Sequence, residues 1–198
     1  MGLSIHYNGK FRDGASFSKM IDEIKDIVEI CKWEYVIYNS RFPENKKQHD
    51  GKIYGISFTP PGCETVSISF LSNRRMSGSA NLMLYGGGDR KINNDYLYML
   101  SVKTQFAGIE IHKFIIQLFR YLKKQDYFDE FNLIDEGKYW ETGDEKLLED
   151  TFKTYTELLD SFSFAIESVP VEENESFEKY FERLMNMINR RNRNRLSK

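Results

Sequence analysis

The first residues of the chain alternate between apolar and polar side chains. Leu3, Ile5 and Tyr7 occupy every second position, and Ser4 and His6 lie between them. Because successive side chains of a strand point to opposite faces, this alternation predicts a half-buried strand that pairs into a sheet, with His6 on its polar face.

Two longer stretches repeat apolar residues at the spacing of an amphipathic helix. The first begins at about Ser16 or Ser18 and ends at Lys32, and its apolar stripe contains Met20, Ile24, Ile27, Val28 and Cys31. The second covers residues 109–124, and its stripe contains Ile111, Phe114, Ile115, Leu118 and Leu122. The same spacing predicts a third helix after Thr142 and a fourth from about Ser176.

Five stretches rich in strand-forming residues complete the pattern. They cover residues 33–38, 53–59, 65–71, 81–85 and 95–102. The short connectors between them favour antiparallel pairing. We therefore predict one α+β domain over residues 1–198, in which helices pack on one face of a mainly antiparallel sheet of five to six strands. Two further helices follow at the carboxyl end, and residues 189–198 form a basic, frayed tail.

Composition and charge narrow the class of protein. The 198 residues are 40% hydrophobic, 15% aromatic and 29% charged, which is typical of a soluble globular protein with a substantial core. A formal net charge of -2 provides no strong field that would attract nucleic acid or an anionic membrane. Cys31 and Cys63 form no Cys-x-x-Cys pattern, so we expect no disulfide framework or zinc site, and a cytoplasmic location. The metal and nucleotide motifs are absent or incomplete, so we expect no metal and no cofactor.

The connector before the third helix concentrates acidic and aromatic side chains. It contains Asp135, Glu136, Tyr139, Trp140 and Glu141. The carboxylates are suited to acid/base chemistry or to a divalent cation, and the two rings to stacking on a sugar or base. The alternative is structural, because a Tyr-Trp pair beside a helix start contributes a large apolar area to a core.

The residues that follow this connector match a helix start. Thr142 and Glu145 have the spacing of a capping box, in which each side chain bonds the backbone N–H of the other residue. Asp144 adds negative charge to the positive end of the helix dipole. We therefore interpret these three residues as structural.

A second group of candidate residues lies around the start of the helix at 109–124. Lys103 and Gln105 precede it, and free backbone amides there can receive an anion. The Walker spacing is missing, and Glu110 already supplies negative charge, which favours a structural interpretation. His112 is expected to be a hydrogen-bonded residue at the edge of the apolar stripe. If His6 meets His112 or Asp135, the side chains would form a proton-transfer or metal constellation.

Three segments together resemble a family of bacterial proteins with no assigned activity. They are residues 1–7, residues 102–108 with His112, and residues 135–144. The resemblance implies a bacterial, cytoplasmic origin, and it assigns a catalytic or binding role to none of these residues.

Two functions remain as hypotheses. The first is a non-enzymatic interaction or regulatory module in which the connector meets a protein partner, with a homodimer covering an exposed sheet face. The second is a hydrolase or small-ligand enzyme in which His6, His112, Asp135, Glu136 and Glu141 converge on a pocket. Nucleic acid and membrane are not expected as partners.

Overall fold

The computed structural model describes residues 2–43, 49–87 and 95–196, and the side chains of these residues up to 191. The strands are β1 Ser4–Phe11, β2 Glu34–Ile37, β3 Tyr54–Thr59, β4 Val66–Phe70, β5 Leu100–Lys103 and β6 Phe128–Asp135. The helices with defined bounds are α1 Phe17–Ile30, α2 Ser79–Tyr85, α3 Ile109–Lys124, α4 Tyr139–Thr142, α5 Glu145–Ser168 and α6 Phe177–Leu196. The predicted α+β class is confirmed.

The strands form two antiparallel sheets of three strands each, not the single sheet of five to six strands that we predicted. Sheet A has the order β5-β1-β6, and sheet B has the order β2-β3-β4. Both edges of β1 are hydrogen-bonded, one to β5 and the other to β6, so β1 has no free edge for a strand of sheet B. β3 instead pairs with β2 on one side and β4 on the other. Isolated bridges at Lys10–Arg75 and Phe70–Met76 link the sheets.

The two long helices of the amino-terminal part pack on different sheets, which corrects the prediction of one shared face. α1 buries Met20, Ile24 and Val28 and contacts β2 and β3 of sheet B. α3 instead packs on sheet A, where the Phe119 ring centroid lies 4.6 Å from that of Tyr7. Each apolar stripe therefore finds its own sheet, because there are two sheets to cover.

The structure differs from the prediction at three elements. Residues 81–85 were predicted as a strand but belong to α2, because a run of five apolar-rich residues has no period that separates helix from strand. Residues 95–97 are helical, so β5 begins only at Leu100. β6 was not predicted, although it is the longest strand together with β1.

The contacts divide the chain into two compact units, Met1–Glu149 and Asp150–Lys198. The second unit has its own apolar cluster, formed by Ala165, Val169, Leu184 and Ile188. α6 extends to Leu196 and so includes most of the predicted basic tail, while residues 197–198 lie outside the described part of the chain. The single domain stays a prediction.

Candidate functional site

A buried acid–imidazole pair lies where β6 ends against α3. Asp135 Oδ1 is 3.0 Å from His112 Nε2, and both residues are 0% exposed. Asp135 pairs in register with Ile5, whose side chain points into the core, so the strand alternation turns the carboxylate inward. Residues 23 positions apart in sequence are thus brought together only by the fold.

Further hydrogen bonds surround this pair. Asp135 Oδ1 accepts the N–H of Gly137 at 2.7 Å, and Oδ2 accepts the N–H of Trp140 at 3.0 Å. His112 Nδ1 lies 2.7 Å from the hydroxyl of Thr104, which in turn lies 3.3 Å from the carbonyl of Leu3. A buried carboxylate is stable only when such partners replace its lost hydration, so this network holds β1, α3 and the end of β6 together.

The environment shifts the pKa of Asp135 in two opposing directions. Burial raises the pKa because it penalises the charged carboxylate. The hydrogen bond and charge of His112, followed by the backbone N–H groups of Trp140 and Gly137, lower it and outweigh the burial. The net result is a pKa below the usual value, so Asp135 is ionised at neutral pH.

Position 137, beside this pair, has no space for a side chain and therefore requires glycine. A Cβ at this position would lie 2.6 Å from Leu148 Cδ1, 3.0 Å from His112 Nε2 and 3.1 Å from Asp135 Oδ1. Because Gly137 has no side chain, the backbone turns tightly over the carboxylate, and the Gly137 N–H can donate to Asp135.

Trp140 is fixed at the surface above this network. Its amide is held by Asp135, and the Arg120 guanidinium donates to the carbonyls of Tyr139 at 2.7 Å and Trp140 at 3.0 Å. The half-buried indole contacts the Phe131 ring edge-on, with 6.0 Å between centroids. Arg120 and Lys123 lie 5.9 and 5.5 Å from its centroid, at cation–π distance.

The other connector residues serve the local structure. Tyr139 is only 5% exposed, and its hydroxyl accepts from Gln117 at 3.4 Å, so one ring of the two faces solvent. Glu141 accepts the N–H of Asp135 at 3.3 Å, and Glu136 accepts the N–H of Ser4 at 2.7 Å. Both residues remain exposed; Glu141 follows Trp140 directly, and Glu136 is four residues before it in the sequence.

His6 does not join His112 and Asp135. It follows Ile5 on β1, so its side chain lies on the opposite, partly exposed face of sheet A. There His6 Nε2 is 3.7 Å from Glu136 Oε1. The five residues of the enzyme hypothesis are therefore divided between the interior and the surface.

Lys103 and Gln105 converge on Gly2. A Cβ on Gly2 would lie 2.5 Å from Gln105 Oε1 and 2.6 Å from Lys103 Cε. Gln105 is 8% exposed, and its amide atoms have no hydrogen-bond partner among the described residues. The side chain of Gln105 is thus packed against the Gly2 backbone.

The predicted capping box is wrong. Asp144 is the residue whose side chain caps α5, because its Oδ1 accepts the N–H of Leu147 at 3.0 Å. Thr142 belongs to α4, donates to the carbonyl of Lys138 and accepts from Asp144. Glu145 pairs with Lys113 at 2.9 Å instead. The insertion of the short α4 moves the cap by two residues.

Asp144→Ala is expected to lower the free energy of unfolding by about 1 kcal/mol, since it removes an acceptor from the first turn of α5. Glu145→Ala should lose less, because that side chain makes only a solvent-exposed ion pair. Urea unfolding of the two variants measures the difference. A larger loss for Glu145→Ala would restore the capping box.

Sequence analysis missed a concave surface that lies outside the predicted sites. A cleft of about 790 Å³ lies between the outer face of sheet B, the start of α2 and β5. It lies apart from His112 and Asp135, and many of its lining residues carry hydroxyl groups: Tyr38, Ser57, Thr59, Thr65, Ser67, Ser79 and Ser101. The alternation of Ser and Thr with apolar residues along β3 and β4 was the signal that could have indicated a polar sheet face.

The described residues contain neither a cluster suited to a metal ion nor a membrane-spanning helix. Across residues 2–43, 49–87 and 95–196, no three His, Cys, Asp or Glu side chains are placed to hold a metal ion together. No described helix combines the length and apolar character needed to span a membrane. Comparison of the chain with family models, curated proteins and solved structures finds no match.

Proposed function

We propose that this protein is a non-enzymatic interaction module of the bacterial cytoplasm that meets a protein partner through a surface centred on Trp140. This Trp140 surface comprises Trp140, Glu141, Arg120 and Lys123, with Glu136 on the same connector. Asp135 and Tyr139 support it from inside. Trp and Arg are the residue types that most often dominate the energy of protein interfaces.

The fixed position of Trp140 is the observation that carries the proposal. Asp135 holds its amide, Arg120 holds its carbonyl, and Phe131 contacts its ring. A side chain that is already ordered loses little conformational freedom when a partner binds. Mixed charges around the indole provide directional contacts for the rim of an interface.

The enzyme hypothesis has less support from the geometry. His112 and Asp135 are fully enclosed and bonded to protein groups, so a substrate has no access to them. The alternative function would rely on His6 and Glu136, which are partly exposed and 3.7 Å apart. That pair is the observation that keeps a small-ligand enzyme as the second candidate.

Trp140→Ala is expected to abolish capture of the partner in a quantitative pull-down from the native host, because it removes the central anchor of the interface. Trp33→Ala is the matched control. The chain has two tryptophans, and Trp33 packs on Phe58 and Phe114 at a different site. Circular dichroism of both variants verifies that they are folded.

The two variants separate the interface from general stability. Loss of the same proteins with both variants would indicate a folding effect, and an unchanged partner list with Trp140→Ala would refute the Trp140 surface. A homodimer through sheet A stays a proposal, supported by Ile134, which is 61% exposed and is the register partner of His6 on the outer face of this sheet.

A further inference from the structure

The cleft beside sheet B has a floor of hydroxyl groups, and the side chain of Tyr38 reaches over it. In β2 and β3, Val36 and Ser57 are register partners on the outer face, whereas Tyr35 and Phe58 point to the opposite face. Ser67 continues the outer face on β4 as the register partner of Ser57. Tyr38, two residues after Val36, reaches over this face, because its hydroxyl lies 3.2 Å from that of Ser57.

The hydroxyl groups leave hydrogen-bonding capacity for a ligand. Tyr38 and Ser57 bond each other, as do Thr59 and Thr65 at 2.9 Å. Within each pair one O–H is donated to the other oxygen, so the second O–H and several lone pairs remain. Thr59 and Thr65 are exposed, whereas Ser57 is only 4% exposed, so the Thr pair and Tyr38 are the groups that a ligand can reach. A ligand that both donates and accepts hydrogen bonds, as an alcohol does, matches this surface.

The opposite wall is shaped by Asn81 and Gly78. Asn81 Nδ2 donates to the carbonyls of Tyr96 and Met99, each at 2.9 Å, so both of its N–H groups are used and its oxygen is an acceptor. A Cβ at Gly78 would lie 3.2 Å from this oxygen and 3.6 Å from Ser67 Oγ. The glycine therefore keeps open the space between the amide and the floor.

The charge of the cleft disfavours anions. Among the lining residues that the structure describes, Glu34 is the one ionisable carboxylate, and none is Lys, Arg or His. A phosphate or carboxylate placed there would lose hydration without gaining a cation. The volume of about 790 Å³ falls within the range of small-molecule sites.

We propose that this cleft binds a neutral, polyhydroxylated small molecule, that is, an uncharged sugar. Sugar hydroxyls match the Ser and Thr floor and the Asn81 oxygen, and the apolar C–H face of a sugar ring packs on Tyr38 and Val36. This site is separate from the Trp140 surface and does not rest on the proposed protein interaction.

Saturation-transfer NMR with a panel of neutral monosaccharides and disaccharides tests this proposal. The intact protein is expected to transfer magnetisation to at least one of them at millimolar concentration. Glucose 6-phosphate and glucuronate serve as charged probes, and they are expected to bind at least tenfold more weakly than the best neutral sugar. Equal or tighter binding of the charged probes would overturn the assignment.

Val36→Trp is expected to fill the cleft and to weaken binding of the best sugar at least tenfold. Ile30→Trp is the control, because Ile30 is also β-branched and exposed (82%, against 55% for Val36) and does not line the cleft. Tyr38→Phe keeps the ring and removes one hydroxyl, so it should weaken binding about two- to tenfold. This second variant decides the case if the tryptophan substitution perturbs the fold.

Two results with the neutral sugars would contradict the proposal. One is that no neutral sugar in the panel gives a saturation-transfer signal. The other is that sugar binding is the same in Val36→Trp, Tyr38→Phe and the unaltered protein. Binding of short neutral peptides in place of sugars would likewise overturn it and assign the cleft to a polypeptide ligand.

Discussion

Asp135→Ala is expected to lower the free energy of unfolding by about 3–5 kcal/mol, because it leaves His112 without its buried carboxylate partner. It also removes the acceptor of the Gly137 and Trp140 amides, which are then desolvated without compensation. This loss is a large fraction of the stability of a typical domain.

Urea denaturation measured at neutral pH tests the Asp135 prediction. Glu136→Ala is the matched control, since it removes the adjacent carboxylate at an exposed position and should change stability by less than about 1 kcal/mol. Equal midpoints for the two variants would show that the buried network contributes nothing beyond a surface acid. His112→Ala should destabilise by a similar amount to Asp135→Ala, because either change breaks the same pair.

The same network makes the free energy of unfolding depend on pH, and Asp135→Ala should remove this dependence. The folded pKa of Asp135 lies below its unfolded value of about 4, so its contribution is fully present above pH 4 and is lost as the pH falls through the folded pKa. Below pH 4 the unaltered protein is therefore expected to lose stability more steeply than the variant. Parallel pH profiles of the unfolding midpoint would contradict the assignment.

Gly55→Ala is expected to destabilise the first unit by at least about 3 kcal/mol. Gly55, the second residue of β3, has φ +119°, a conformation that costs other residues about 1–3 kcal/mol. Its Cβ would also lie 2.5 Å from the Ile68 carbonyl oxygen and 3.0 Å from Ser69 Cα. Both atoms belong to the backbone of the adjacent strand, so relief requires the sheet to separate.

Gly14→Ala is the control that separates the cost of backbone strain from the cost of a steric clash with the adjacent strand. Gly14 has φ +82°, but its Cβ would meet no atom within 4 Å. We expect it to lose only the backbone strain, about 1 kcal/mol. Thermal or urea unfolding that gives equal losses at both positions would show that the approach of β4 does not matter. Gly55 also accepts the N–H of Tyr38, so Gly55→Ala should disturb the cleft as well.

Local periodicity was sufficient for the long amphipathic helices. The bounds of α3 were predicted without error, and α1 was predicted to within two residues at its carboxyl end, because apolar residues repeat at helical spacing over many positions. The prediction failed for β6, where Ile134 is 61% exposed and Asp135 is buried. A strand that exposes an apolar side chain and buries an acid does not show the pattern on which strand prediction depends.

The chemistry of the candidate site was predictable only in part. The composition of residues 135–141 indicated a distinctive segment, but no sequence pattern could show which of its side chains face inward. That depends on the register of β6 with β1, which puts Asp135 opposite Ile5, and on the Gly137 turn, which brings Asp135 against His112. A shift of one residue would have exposed the carboxylate instead.

Short-range spacing of apolar residues was enough to predict the α+β class, the four long helices and most strands. Tertiary structure alone decided the division into two sheets, the burial of Asp135 with His112, and the hydroxyl-lined cleft. These features require pairing between residues far apart in the chain, and the energy of such pairing depends on which backbone and side-chain groups lose water together.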